Sequence, residues 1–312
     1  MQQAFLVARQ VFLIFIYMGV GIVCTRKGIL DEKTGRKLSG FSLGIIMPLL
    51  MIRNYMRPLD IDELKGLGLA FFLAVVFHGL AVAAAVFFIP KAKEPDRRIE
   101  RLAVVISNCG YMAIPLIKVA LGDAGVFYSL AYISVFNLVL WSVGVMLLSG
   151  EKKLSAKKLL LNPGVGGFVI GAVVYLAQIQ LPPILVEAID GIVVMNTPLP
   201  MITAGIFLAH INVRETLLDK RIYFVAFLRL LAVPLVLLLA IKLAGVANWL
   251  PSARDVILTV GLGCACPCAA AVTLFPANFG MKGDYGAKLI AISTLLSIIT
   301  LPLMTLIVNA WI

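Results

Sequence analysis

The sequence predicts an all-α membrane protein with ten transmembrane helices, arranged as two repeats of five helices in opposite orientations. Its 312 residues are 61% hydrophobic and only 14% charged, with a mean hydropathy of +1.02. A soluble domain of this length could not bury that much apolar surface, so the bilayer must surround most of the chain. Ten apolar stretches are long enough to cross a bilayer, and motifs from the first five recur in order among the last five.

The predicted spans, numbered in chain order, are joined by short connections. Their approximate bounds are residues 4–25, 38–56, 66–89, 101–120, 124–148, 163–181, 186–209, 222–246, 254–279 and 285–311. Span 1 has no basic segment before it and no small-residue cleavage site, and basic residues follow it in "TRKG". We therefore expect a retained first helix rather than a signal peptide.

The basic residues indicate the orientation of the chain. The connections after spans 1, 3, 5, 7 and 9 contain 19 of the 27 Lys and Arg residues. Those after the even-numbered spans contain only Arg53, Arg57, Lys65, Lys118 and Arg254. Because basic connections stay in the cytoplasm, both termini should lie outside. The net charge of +11 is thus a sign of topology, and we expect no nucleic-acid partner.

The two halves share three pairs of motifs. The pairs are Pro48 with Pro198 at an offset of 150, Pro115 with Pro267 at an offset of 152, and "GDAG" (122–125) with "GDYG" (283–286) at an offset of 161. The larger last offset predicts an insertion around "FPANFGMKG". Since five is odd, the second unit enters the membrane from the other side. The sequence therefore predicts an inverted repeat, about 1–150 and 151–312, as many secondary transporters have.

Spans 4 and 9 contain helix breakers. Pro115 cannot donate a hydrogen bond to the carbonyl of Tyr111, nor can Pro267 to that of Gly263. Open backbone in a bilayer costs several kcal/mol per group unless it lines a cavity or meets a polar partner. Each proline alone is compatible with a simple kink. Together they favour two discontinuous helices that meet at midplane, where half-helix amino termini would attract an anion.

Polar residues near these breaks are the candidate site. Asn108 either contacts a substrate or satisfies the carbonyls that the break leaves open. The predicted substrate-binding residues are Asn108, Cys109, Gly110, Pro115, Asn196, Pro267 and Cys268. Residues that could serve coupling or anion attraction are His78, Lys118 and Arg229; a packing role for the histidine and snorkelling for the two cations are the alternatives. Without a carboxylate at midplane, proton-coupled, sodium-coupled and uncoupled transport all stay open.

Several motifs resemble one family. The segment "SNCGYMAIPLI" in span 4 resembles the Asn-plus-Ile-Pro-Leu segment of the auxin efflux carrier family, which includes plant PIN proteins and bacterial permeases of the malate and malonate type. "MPLLMI" in span 2, "NTPLPMITAGIFLA" in span 7, and "CPCAAAVTLF" with "STLLSIITLPL" in spans 9 and 10 look like that family too. The resemblance covers essentially the whole chain. Only "GEKKLSAKK" joins spans 5 and 6, so the chain is similar to the compact bacterial type.

The resemblance implies a crossover fold, like that of bile-acid symporters, in which the broken helices of spans 4 and 9 pass each other. The helices of spans 1, 2, 6 and 7 would form a scaffold that makes a homodimer, and those of spans 3–5 and 8–10 a moving elevator domain. The implied substrates are small organic anions, such as mono- and dicarboxylates or auxin-like acids, and the implied location is the plasma membrane (in bacteria, the inner membrane).

The correspondence of single residues is also implied by the resemblance. The family's asparagine corresponds to Asn108, and its two crossing prolines correspond to Pro115 and Pro267. Ala113 stands where the family usually has glycine, and Cys268 stands where plant members have a polar residue. These departures leave the identity of the substrate open.

Other classes of function fit less well. A sodium-coupled carrier of the bile-acid symporter type is the nearest alternative. An enzyme is disfavoured because the chain has no HExxH or GxSxG motif and only two histidines. The five cysteines match neither a disulfide framework nor a zinc spacing, so we expect no metal or cofactor. ATP-driven pumping would need a P-loop, and a receptor would need a domain outside the membrane; we expect neither.

Overall fold

The structure, a computed structural model, describes residues 2–90, 95–150, 162–277, 279–281 and 284–311. These residues form helices joined by short turns, with no β-strand among them. The helices are α1 (Gln2–Arg26), α2 (Glu32–Tyr55), α3 (Ile61–Phe88), α4 (Pro95–Val105), α5 (Cys109–Ser149), α6 (Pro163–Leu176), α7 (Pro183–Leu208), α8 (Val213–Leu218), α9 (Lys220–Leu243), α10 (Ala253–Ala265), α11 (Ala271–Ala277) and α12 (Asp284–Trp311).

Seven helices in the described part of the chain are long and apolar enough to cross a membrane: α1, α2, α3, α5, α7, α9 and α12. Helix α6 is a shorter apolar helix, and α5 bends at Gly122, whose φ of 68° lies in the left-handed region that favours glycine. The chain is therefore an all-helical, multi-pass membrane protein. The basic connections at 91–94 and 151–161 lie outside the described residues.

Polar side chains fix the starts of several helices. Asp31, Asp60 and Asn162 each accept hydrogen bonds from backbone N–H groups two or three residues later. Such caps satisfy N–H groups that have no partner within the helix. The backbone donors favour the charged form of Asp60 and so lower the pKa of its carboxyl group.

Wide helical turns precede three of the prolines in long helices. The π-helical segments Ser42–Ile46, Cys109–Ala113 and Leu228–Ala232 end two residues before Pro48, Pro115 and Pro234. A proline ring clashes with the carbonyl four residues earlier and offers it no N–H. A wider turn at that carbonyl relieves the clash while the helix continues.

Two helical runs are interrupted, and the interruptions meet. Helix α4 ends at Val105 before α5 begins, and α10 ends at Ala265 before α11 begins. The backbone N–H of Asn108 donates to the carbonyl of Pro267 (2.8 Å), and that of Ala269 donates to the carbonyl of Ile106 (3.2 Å). Each broken segment therefore satisfies part of the other's backbone, as the apolar surroundings require.

The predicted position of the first break is wrong. Pro115 does not interrupt the helix; it lies at the start of the α-helical part of α5, directly after the π-helical turn. The break lies at residues 106–108, where Ser107 pairs with Cys268 in an antiparallel bridge. These partners are 161 positions apart, and the same offset relates Pro115 to Pro276 inside α11. The extra residues of the second half therefore precede its break rather than follow it. The prediction paired Pro115 with Pro267 because proline identity alone does not distinguish a proline at a helix start from a proline in a break.

Helices α1, α2, α6 and α7 pack on one another, most closely where glycines remove side chains. A Cβ atom on Gly21 of α1 would lie 2.0 Å from the carbonyl oxygen of Ile202, and one on Gly205 of α7 would lie 2.1 Å from that of Met18. Only glycine permits this approach of two helix backbones. We call these four helices the scaffold group.

The remaining long helices, α3, α4, α5, α9, α10 and α12, form a second group around the buried helix α10. An ion-pair cluster joins three of them. Glu100 on α4 is fully buried and accepts two hydrogen bonds from Arg221 on α9 (2.5 and 2.7 Å) and one from the hydroxyl of Tyr285 on α12 (2.9 Å). We call these six helices, together with α11, the crossing group; it contains both interrupted runs.

Candidate functional site

A cavity lies beside the crossing, between the two groups of helices. It consists of two adjoining pockets that share Asn108, Tyr111, Pro200 and Ala270. One pocket extends between α2 and α5 and has a volume of about 50 Å³; the other is lined by α1, α7 and α12 and has a volume of about 20 Å³. Pockets of this size hold only a few water molecules, so an organic ligand would require the two groups of helices to move apart.

Asn108 presents a free amide to this cavity. Its backbone is fully used: the N–H pairs with Pro267, and the carbonyl accepts from the N–H groups of Met112 (3.1 Å) and Ala113 (3.4 Å). Its side chain makes no capping hydrogen bond and has no partner among the described residues. The amide can therefore donate to, or accept from, a bound molecule.

The start of α5 adds further donors at the same place. The N–H groups of Cys109, Gly110 and Tyr111 are the first of the helical run and have no acceptor within it. The helix dipole gives this end a partial positive charge. Together with the amide of Asn108, the helix start forms a site that favours a negatively charged group.

Gly110 and Asn196 connect this site to α7. Gly110 lines the cavity, and its carbonyl accepts a hydrogen bond from Nδ2 of Asn196 (3.0 Å). Asn196 is buried, and its Oδ1 has no partner among the described residues. The predicted binding residue Asn196 thus contacts the broken segment itself, and is absent from the walls of the two pockets.

Four other predicted binding residues shape the backbone behind the cavity. Cys109 and Cys268 are buried, and neither they nor the two prolines line the pockets around Asn108. The backbone N–H of Cys268 donates to Oγ of Ser293 (3.2 Å), and Pro267 supplies its carbonyl to the crossing. Within the described residues, no group of three His, Cys, Asp or Glu side chains could hold a metal ion.

His78 and Lys118 lie away from the cavity. His78 is buried on α3 against the rings of Phe77 and Tyr132, with Nδ1 2.8 Å from the carbonyl of Ala74. Its Nε2 has no partner among the described residues. Lys118 is half exposed and forms an ion pair with Asp123. Neither residue lines the pockets beside the crossing.

Arg229 is placed differently from the predicted alternative of snorkelling. It lies in the wide turn of α9 and is completely buried. Its guanidinium group donates to the carbonyls of Val104 (3.0 Å), Cys264 and Cys266 (3.1 Å). The same group lies 5.2 Å from the centre of the Phe77 ring. Arg229 therefore supplies hydrogen-bond donors to carbonyls at the carboxyl ends of α4 and α10.

Sequence reasoning missed several residues of the cavity wall. Tyr111 lines both pockets, and its hydroxyl is buried without a partner among the described residues. It follows Asn108 by three positions, a spacing that places two residues on one helix face. Ser42 and Asn137 also line the cavity but donate to carbonyls of their own helices (2.9 Å each). A search for polar residues at helical spacing around Asn108 would have found Tyr111.

The cavity continues toward one side of the protein. A third pocket shares Phe207, Thr273 and Leu274 with the first two and is lined by Glu32, Arg36, His210 and Asp284. Glu32 and Arg36 lie at the start of α2, His210 in the turn between α7 and α8, and Asp284 at the start of α12. Adjoining pockets thus extend from Asn108 to polar residues at this side.

A multi-pass helical protein with a free amide in a cavity beside interrupted helices has the features of a membrane transport protein. A family model described as "Membrane transport protein" matches residues 6–158 and again residues 151–305. The chain therefore belongs to the auxin efflux carrier family, whose members are membrane transporters, and the resemblance seen in the sequence is confirmed. Comparison with curated proteins gave no match.

Proposed function

We propose that the protein carries small organic anions, mono- or dicarboxylates, across the plasma membrane, and that Asn108 and the start of α5 bind the carboxylate. The observation that carries this proposal is the free amide of Asn108 in a cavity at a helix amino terminus. Donors without protein partners suit an acceptor-rich ligand, and a carboxylate offers two oxygens with about four acceptor positions.

The apolar remainder of the cavity supports a small substrate with a hydrocarbon part. Met47, Leu140, Pro200 and Leu274 contribute to the wall around the amide. Such a wall gives shape selection and excludes water, while a few polar groups fix the orientation of the ligand. The same arrangement accommodates short carboxylic acids better than sugars, which need many polar partners.

We propose an elevator-type movement of the crossing group against the scaffold group. The cavity lies between the two groups, and most of the polar bonds that connect the groups lie away from it. One beside the cavity is the hydrogen bond from Asn196 to Gly110. Another lies at the far side, where Arg57 donates to the carbonyl of Asp123 (3.4 Å) and lies 4.8 Å from the Phe127 ring centre. Movement would break these contacts and expose Asn108 to the other side.

The membrane arrangement is part of the same proposal. Ten crossings with both termini outside would place the third pocket at the cytoplasmic side, because the basic connections mark that side. The described conformation would then be open inward. The scaffold group would form the contact of a homodimer, with the crossing group facing lipid and moving. Chemical crosslinking between cysteines on the outer face of α6 would test the dimer.

Transport by purified protein in liposomes tests the proposal. The panel contains labelled malonate, malate, succinate, lactate and indole-3-acetate, each with no gradient, a proton gradient or a sodium gradient. We expect saturable uptake of at least one acid, competed by other small carboxylates but not by amines of similar size. Absence of uptake above that of protein-free liposomes, for every acid and gradient, would contradict the proposal.

A further inference from the structure

The crossing of the interrupted helices has two chemically different sides. The cavity side holds the amide of Asn108 together with Gly110 and Tyr111 from the start of α5. The opposite side holds carbonyls at the ends of α4 and α10, those of Val104, Cys264 and Cys266. Helix carboxyl ends have a partial negative charge, and unpaired carbonyls are unfavourable in an apolar interior. This side therefore needs a cation or a strong donor.

Arg229 meets this need with a single side chain. Nε donates to Cys266, and the two terminal nitrogens donate to Val104 and Cys264. No part of the residue reaches solvent, and the face of the guanidinium lies over the Phe77 ring. A guanidinium group is a permanent cation with donors in a fixed planar fork. Its three directions of bonding match three carbonyls from two different helices.

Carbonyls at half-helix carboxyl ends are also the groups that bind coupling cations in secondary transporters. In this chain the three carbonyls already point at a covalently attached cation. We infer that Arg229 is a resident cation that takes the place of a coupling metal ion at the crossing, so that the carrier moves its substrate without sodium. This inference deepens the proposed function and rests on it for the statement about transport.

The role assigned to Arg229 is that of a positioning residue. It does not line the cavity and does not reach the substrate. Its charge holds the carbonyl ends of α4 and α10 together, and this fixes the amide of Asn108 and the start of α5 on the other side. A loosely bound metal ion would make this geometry depend on the external salt; the attached guanidinium makes it permanent.

The variant Arg229→Ala tests the inference, because it removes the cation and leaves the carbonyls. Thermal unfolding of the purified protein is measured in choline chloride, with millimolar guanidinium chloride or sodium chloride added. We expect the variant to melt below the wild type and to gain stability, saturably, with either added cation, whereas the wild type gains none. A variant that gains nothing from either cation would overturn the inference.

Arg101→Ala is the matched control. Arg101 lies on α4 and, like Arg229, donates to the backbone; its acceptor is a single carbonyl, that of Ile89, at 2.9 and 2.6 Å. Truncation there also leaves a carbonyl without its arginine, but away from the crossing. We expect no cation-specific gain for this variant; an equal gain would show that the cations act non-specifically and would overturn the inference.

Wild-type transport provides the second test. Uptake of a carboxylate into liposomes is compared in sodium, potassium and choline salts, and we expect equal rates. Uptake that requires sodium would overturn the inference while leaving the proposed function intact. If no carboxylate is transported at all, the proposed function fails, and the unfolding experiment still decides whether Arg229 replaces a bound cation.

Two further variants are used if Arg229→Ala is not recovered in any salt. Arg229→Lys keeps a charge at the crossing, and Arg229→Met is neutral and of similar length. We expect the lysine variant to be recovered and to transport without sodium, and the methionine variant to be lost. Equal recovery and equal stability of the two would overturn the inference.

Discussion

Replacing Asn108 with alanine should weaken substrate binding without unfolding the protein. The side chain has no partner among the described residues, so its removal breaks no bond within the protein. We expect the melting temperature without substrate to change little, as for other substitutions away from packed or bonded groups. The whole effect should therefore appear in binding and transport.

The size of the effect follows from the bond that is lost. A hydrogen bond to a charged group contributes about 1.5–3 kcal/mol, so Kd for a carboxylate should rise roughly 10- to 150-fold. Asn108→Asp should weaken binding further, since it keeps the shape but places a negative charge beside an anion. Substrate affinity is measured by titration of the purified protein, and KM by uptake into liposomes.

Ser42→Ala is the matched control for this experiment. Ser42 lines the same cavity, but its hydroxyl already donates to the carbonyl of Leu38 (2.9 Å). We expect its affinity to stay close to the wild type. Wild-type affinity in the Asn108→Ala variant would refute the assigned binding role. An equal loss in both variants would show that the cavity wall, and not the free amide, determines affinity.

Three further outcomes test the packing around the site. Gly21→Ala should destabilise the protein by about 1–3 kcal/mol through overpacking, because its Cβ would lie 2.0 Å from a carbonyl oxygen of α7. Gly19→Ala is the control, since its Cβ would enter open space and should not destabilise the protein. Thermal unfolding compares the two variants. Arg221→Met should lower the free energy of unfolding by less than the about 3–5 kcal/mol typical of a broken buried pair, since other donors to Glu100 remain. Adding Glu100→Gln to this variant should recover part of the lost stability. If the losses of the two single variants simply add in the double variant, the pairing is contradicted. Asn196→Ala removes one buried hydrogen bond between the two groups of helices, which contributes about 0.5–1.5 kcal/mol, and should shift the protein away from the described conformation. Chemical labelling of a cysteine introduced in the cavity should then become slower. An unchanged labelling rate would argue against a role of Asn196 in the conformational equilibrium.

The helices could be predicted from hydropathy alone, because the bilayer imposes long apolar runs that few other folds need. Helix covers most of each predicted stretch in the described residues. The sequence also drew attention to Asn108, an amide two residues before a glycine in an apolar run, and the structure places it in the cavity wall. Its freedom from protein partners could not be predicted, because that depends on the other backbone segment at the crossing.

Two features could not be read from the sequence. Pro115 looked like a breaker, yet a preceding wide turn lets the helix continue through it. Arg229 looked like a side chain that reaches toward the cytoplasm, but the carbonyls that hold it come from residues 35 to 125 positions away. The residues near Arg229 in the sequence do not indicate where carbonyls so far away in the chain will lie. The structure alone shows that α9 passes the crossing at this residue.

The buried charge of Arg229 has a consequence for how membrane voltage acts on the carrier. If α9 moves with the crossing group, this charge moves with it through part of the electric field, in which a full crossing is worth about 2.3 kcal/mol per elementary charge per 100 mV. Without substrate, the crossing group then carries one positive charge at its centre. With a bound monoanion the net charge there is zero, and with a bound dianion it is one negative charge. A negative interior would hold the empty crossing group inward and drive the dianion outward. Voltage would thus favour the export of dicarboxylates over that of monocarboxylates.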